Sequence, residues 1–287
     1  MAHFPLKALG LVVLAMSLIV VGDAAGKEMT ARGFSSFFTA WSRFAVAGVL
    51  LLPFFGIKAG ELRAFLDWRV QLRALLVVAA ISCILTALRT EPMANVFGGF
   101  FVGPIVAFAL SSLLLKEQVS LGRVLLLGVS FLGVLLVVKP GVEMRPGMGF
   151  ALLAGCFHGS FLVSTRWLAG EFRPRFLMFS QLAIGGLVLA PFAFGGMPAD
   201  AGAAGIGLIL ISALGSAAGN FLLVVVNRST PANVVAPLIY SQLLAATIVG
   251  YLAFGDLPDD LALLGLAIII ASGLSSLWLV GRRKSAA

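Results

Sequence analysis

The chain is a succession of long apolar runs interrupted by short clusters of charge, glycine or proline. Taking those interruptions as helix ends predicts ten spans, at roughly 7–26, 34–56, 70–89, 93–115, 119–138, 147–168, 173–194, 203–227, 231–254 and 260–280. Each is close to the ~20 apolar residues that a helix needs to cross hydrocarbon. The runs are continuous, whereas a membrane β-barrel would show ~10-residue segments of alternating polarity. Connections of a few residues call for antiparallel neighbours in a compact bundle.

Composition strengthens this reading. Of 287 residues 60% are hydrophobic and 11% charged, against roughly 45–50% and ~25% in soluble domains. A lipid-facing surface accommodates that excess and a soluble core does not. The net charge of +8 raises nucleic acid as a partner. However, the basic residues lie between hydrophobic runs, with no basic face or aromatic platform, so no nucleic-acid partner is expected. Cys83 and Cys156 both sit inside apolar runs, where free thiols act as small hydrophobes. Neither a disulfide nor a metal is inferred from them.

Lys7 and the apolar stretch from Ala8 to Val21, followed by Ala24 and Ala25, have the form of a signal peptide. An internal repeat favours a retained first helix instead. Ala45 to Phe54 reads AVAGVLLLPF and Ala183 to Phe192 reads AIGGLVLAPF, at an offset of 138. Arg89-Thr90-Glu91-Pro92 matches Arg228-Ser229-Thr230-Pro231 at an offset of 139, which places Glu117 on Asp256. Two halves follow, near 1–145 and 146–287. Each holds five spans, an odd number, so the second half must insert upside down relative to the first. The expected fold is all-α and integral to the membrane, with ten transmembrane helices in two inverted five-helix repeats. Secondary transporters commonly have this architecture, with the site near the midplane between the halves.

Orientation follows from Lys and Arg. With the N-terminus cytoplasmic, 14 of them fall in inside segments and 5 outside, so both termini are expected in the cytoplasm. Arg73 is counted among the inside residues, and Arg43 stands as the one basic residue well within a span.

Ten spans in two halves, and a fourth span ending Leu113-Leu114-Leu115-Lys116-Glu117, resemble the drug/metabolite transporter superfamily of EamA type. Gly128 and Gly133 in the fifth span and Pro104 in the fourth add to the likeness, which extends over nearly the whole chain. Within that superfamily the chain is most similar to bacterial amino-acid exporters of the inner membrane. The resemblance implies a multi-pass inner (plasma) membrane protein that exports amino acids. Two departures stand out: Asp256 in place of a second Glu117, and Leu243 in place of a second Pro104. Symmetric bending would then have to use Pro237.

A polar side chain in hydrocarbon is costly unless it faces the bundle interior. Ser212, Ser216 and Asn220 recur every four residues on the eighth span. Asn233, Pro237, Tyr240 and Ser241 share a face of the ninth, and Ser82, Thr86 and Thr90 a face of the third. Ser160 and Ser164 follow Cys156 on the sixth. These stripes can line a cavity or mediate tight helix packing. His158, at mid-span, can contact solute or be satisfied by a hydroxyl. Phe97 and Phe101, an i, i+4 pair beside glycines, join Trp41 and Tyr240 as rings that can stack on a solute or fill the core. The expected solute-binding set is thus Asn220, Tyr240, His158, Phe97, Phe101, Trp41, Ser82, Ser216 and Ser241. Pro104 and Pro237 are the expected hinges.

Asp23 is read as closing the first span on the same side as Arg43. An ion pair between them, or between Arg43 and Glu28, is expected as a gate or a structural link. Trp68, Trp167 and Trp278 read as interfacial anchors.

No phosphate-binding loop, zinc motif or Ser–His–Asp arrangement is present, so no cofactor, metal or catalysis is expected. Scarce intramembrane charge favours a neutral or zwitterionic solute over a sugar phosphate. The function expected is a secondary transporter of small metabolites, most often bulky or aromatic amino acids, working as a monomer in the bilayer by alternating access. A carrier of a drug, purine or nucleotide sugar is the first alternative, and a polytopic lipid enzyme the second.

Overall fold

The computed structural model describes residues 6–114, 121–139, 145–168, 170–229 and 238–284. Its elements are all helical: α1 Leu6–Ala31, α2 Ser36–Phe55, a 3-10 helix Ala59–Leu66, α3 Trp68–Leu88, α4 Met93–Phe100, α5 Val102–Leu114, α6 Leu121–Val138 and α7 Pro146–Leu168. There follow α8 Pro174–Ala193, α9 Gly202–Ser229, a 3-10 turn Leu238–Tyr240, α10 Ser241–Phe254 and α11 Asp260–Lys284. Among the described residues seven helices are long and apolar enough to cross a membrane, and three shorter apolar helices cover Val124–Val138, Leu238–Phe254 and Asp260–Ser275.

Helix ends follow local chemistry. Ser35 caps α2, its hydroxyl accepting the Phe38 amide at 3.0 Å, and Asp67 accepts the Arg69 amide at 2.9 Å to start α3. Gly56 ends α2 at φ 54° and Gly255 ends α10 at φ 69°, a left-handed cap that β-carbons disfavour. The first helix runs past Asp23 to Ala31, so Asp23 lies within it rather than at its end. Gly22 and Gly26 permit this, because their bare backbone is where α9 and the Arg43 side chain come close.

The fourth span is broken into α4 and α5 at Phe101. Pro104 has no N–H to donate to the carbonyl of Phe100, four residues back, and the ladder fails there. The equivalent expectation for Pro237 lies outside the described residues, as do Asn233, Pro231, Glu117 and the Lys116 motif.

Large apolar side chains are exposed around the girth, including Leu252 (77%), Leu187 (75%) and Phe54 (71%). Soluble monomers do not display a belt of this kind, and lipid covers it here. Trp68 and Trp167 are exposed beside each other, ring centroids 5.7 Å apart.

Helix pairing repeats itself when the two halves are exchanged. The α1–α9 contact corresponds to α7–α3, α2–α9 to α8–α3, and α10–α1 to α4–α7, while α2–α8 and α6–α11 map onto themselves. At the α6–α11 crossing Gly133 and Gly265 face each other, each leaving room only for the other's backbone.

Polar rims mark the two ends of the bundle. One, the Lys27 face, carries an ion pair between Lys27 and Asp256, a bond from Lys27 to the Glu91 carbonyl at 3.1 Å, and Lys139–Asp259 at 2.7 Å. Burial pushes the Glu91 carboxyl up, while Lys139 holds that of Asp259 down. The other, the Arg69 face, carries Arg69–Glu171 at 2.7 Å and Arg173–Glu61 at 2.6 Å.

Candidate functional site

A cavity of about 830 Å³ lies between the halves. Its lining comes from the middle of α1, α2 and α11, the α4–α5 break and α5, the second half of α3, α7 and α9, and the first half of α6, α8 and α10. Most of these stretches lie between mid-depth and the Arg69 face, and Ala80, Ile81 and Ile84 of α3 extend the lining past mid-depth. On the Lys27 side the space stops at Asp23 and Arg43.

That end is built from α1, α2 and α9. Arg43 donates from Nη1 to Asp23 Oδ1 at 2.5 Å, from Nε to Ser212 Oγ at 2.7 Å and from Nη2 to the Gly22 carbonyl at 2.7 Å. Ser212 donates to the same carbonyl at 3.0 Å. Asp23 and Arg43 are 3% and 4% exposed, so the two charges neutralise each other in the bundle, which the cost of an isolated buried charge requires. Glu28 is instead bonded to Arg32 at 2.7 Å.

The walls are mostly aliphatic, with a set of aromatic and uncharged polar side chains and one further cation, Arg166. The His158 ring lies 4.9 Å from Phe100 and 5.7 Å from Phe161. The Phe101 and Tyr240 rings lie 4.9 Å apart, tilted by 39°, and Ser130 lines the cavity with Tyr240. Ser216 and Asn220 line the wall contributed by α9, the Asn220 amide donating to the Ser216 carbonyl at 2.8 Å. Pro104 lines the cavity just beyond the break it causes.

Several expected members lie elsewhere. Phe97 is fully buried in the core and does not line the cavity; Phe100 does. The i, i+4 pairing assumed an unbroken helix, and the break at Phe101 changes which ring faces inward. Trp41 packs between α2 and α8, its indole donating to the Gly186 carbonyl at 3.0 Å. Ser82 is outside the lining, with its hydroxyl buried and unpaired. Ser241 donates to the Leu238 carbonyl at 2.6 Å, tying down the 3-10 turn rather than facing solute. Sequence reasoning also passed over Phe161, Gln181, Gln242, Ser130 and Ser272, all in the lining.

Arg43 is not the bundle's one buried arginine. Arg73, counted with the inside cations at the start of the third span, is 4% exposed and bonded to Thr165, to the Leu177 carbonyl and to Gln181 at 2.8, 2.8 and 3.0 Å. The repeat held the signal for both: Gln181 lies 138 residues after Arg43, and Ser212 lies 139 after Arg73.

A one-sided cavity between two like halves is what a carrier needs. The description of the EamA-like transporter family matches residues 6–139 and, a second time, residues 145–278. The chain belongs to the EamA-like transporter family. This EamA-like protein is a multi-pass membrane transporter. It is similar to an S-adenosylmethionine uptake transporter of Rickettsia prowazekii (strain Madrid E), 25% identical over 262 residues, covering 88% of this chain and 86% of that one. It is likewise similar to a riboflavin transporter of Rhizobium johnstonii, 25% identical over 251 residues, covering 84% and 80%. A solved crystal structure superposes with a TM-score of 0.64 at 14% identity, covering 96% of this chain and 98% of that one. That likeness concerns the fold alone.

Proposed function

We propose that this transporter carries bulky or aromatic amino acids outward across the plasma membrane, unchanged, by alternating access. Ten crossings in two inverted five-helix halves, 1–145 and 146–287, with both termini cytoplasmic, make the Arg69 face the cytoplasmic one. The observation that carries the reading is the cavity itself: open towards that face, stopped by Asp23 and Arg43, and walled by aliphatic side chains, rings and neutral hydrogen-bonding groups, with Arg166 as the one further cation in the lining. Phe100, Phe101, His158 and Tyr240 offer faces to a flat side chain, and Ser216, Asn220 and Gln242 meet its polar atoms. The Asp23–Arg43 pair is the outer gate, and Pro104 the hinge that lets α4 move against α5.

The relatives support a second reading, in which the solute is a larger ring-bearing molecule such as a flavin or an adenosyl compound and moves inward. Proteoliposomes loaded with radiolabelled phenylalanine or riboflavin separate the two. Efflux of phenylalanine, lost in Asn220→Ala and Tyr240→Ala, is expected. Efflux of riboflavin alone would leave the transporter and overturn the amino-acid assignment.

A further inference from the structure

The two buried arginines, both in the first half, occupy two sites that exchange when the halves are exchanged. Arg43, on α2, ties α1 and α9 together; Arg73, on α3, ties α7 and α8 together. Exchanging the halves turns the first trio of helices into the second. The register is shared in detail: Ser42 bonds the Thr39 carbonyl at 2.9 Å, and Ser180 bonds the Leu177 carbonyl at 3.0 Å, every residue displaced by 138.

The two sites differ in charge. Where Asp23 meets Arg43, the residue 138 positions later is Phe161, whose ring lies over the Arg73 guanidinium with the carbon 4.7 Å from its centroid. The remaining partners of Arg73 are a hydroxyl, a carbonyl and an amide oxygen, and among the described residues no carboxylate pairs with it. One of the two related sites therefore holds a neutralised arginine and the other a buried cation. Neutral acceptors offset only part of the cost of such a cation away from water. Two of its partners, Phe161 and Gln181, line the cavity near the open face.

We propose that Arg73 is the carboxylate-recognition residue of the transported solute, which supplies to this site the anion that Asp23 supplies to the other. The carboxylate takes the place of the Gln181 oxygen on Nη2. This exchange is favourable because a carboxylate gives the buried cation a counter-ion and can meet the guanidinium with two parallel bonds, which a single amide oxygen cannot. Phe161 shields the pair from water and carries the adjoining apolar part of the solute. The idea rests on the transport reading above but fixes only one chemical group, a carboxylate, whatever ring or amine accompanies it.

Binding of phenylalanine, 3-phenylpropionate, phenylalaninamide and riboflavin to the purified full-length protein in nanodiscs tests it. The wild type is expected to bind the two carboxylates about ten times more tightly than the amide, the size of one charge-assisted contact. Arg73→Gln should lose that preference. Phe161→Asp, which restores an internal carboxylate, should keep the wild-type melting temperature yet also lose it. This second variant carries the test if Arg73→Gln does not fold. A wild type without carboxylate preference, or a preference intact in Phe161→Asp, overturns the proposal. Binding of 3-phenylpropionate without phenylalanine supports Arg73 and refutes the amino-acid assignment. Binding of riboflavin alone overturns Arg73 and leaves the transporter standing.

Discussion

Removing Asp23 should expose how much the bundle depends on one buried pair. In the wild type Arg43 has three partners, at 2.5, 2.7 and 2.7 Å, and only one is charged. Asp23→Ala leaves the guanidinium buried with a serine hydroxyl and a carbonyl. Breaking a buried pair from one side costs about 3–5 kcal/mol. The two surviving bonds put this case at the lower end, near ~3 kcal/mol. The double variant Asp23→Leu with Arg43→Met removes both charges and keeps apolar volume, so it should recover to within about 1 kcal/mol of wild type. Unfolding titrations in mixed micelles on the four proteins of that cycle measure the coupling directly. If Asp23→Ala lies within ~0.5 kcal/mol of wild type, the size of an ordinary surface change, or if the double variant is worse than the single, the electrostatic account of the closed end fails.

Other outcomes follow from the same geometry. Gly159→Ala places a β-carbon against the Gly103 carbonyl and within 3.0 Å of the Ala107 amide, backbone that cannot retreat, so it should cost about 1–3 kcal/mol. Gly128→Ala meets nothing within 4 Å and should leave stability unchanged or slightly raised in the same titration. Arg173 holds the Glu61 carboxyl down to about 2 from 4.5 by a hydrogen bond. A depressed acid stabilises above its unfolded value, so this link is present above pH 4.5 and fades as pH falls toward 2. The melting-temperature gap between wild type and Glu61→Gln should be small, about 1 kcal/mol or less in free energy, and should close at low pH. Pro104→Ala returns a donor to the Phe100 carbonyl. It should straighten the fourth span and slow transport in proteoliposomes while the melting temperature holds or rises.

The helices were legible because hydrophobic runs of this length have one physical meaning in lipid, and their ends carry recognisable caps such as Ser35, Asp67 and Gly56. The two halves were legible from proline and arginine coincidences, which low-complexity apolar sequence does not produce freely. Cavity membership was harder. Phe97 and Phe100 differ by less than one turn, and which one faces inward depends on a break that Pro104 causes three residues beyond Phe101. Trp41 and Ser241 carry polar atoms that suit a site, yet both satisfy the backbone of neighbouring elements. Arg73 looked like an end-of-span cation, because periodicity gives direction around a helix but not how closely α7 and α8 approach it.

Side-specific labelling tests the central claim most directly. Gln181→Cys and Asn220→Cys, in a background with Cys83 and Cys156 replaced, are treated with a membrane-impermeant maleimide from each side of oriented vesicles. Labelling from the Arg69 side alone, slowed when the transported solute is present, is the outcome predicted. Labelling of both positions from both sides at once would describe an open channel, and a cavity closed at Asp23 and Arg43 would be contradicted.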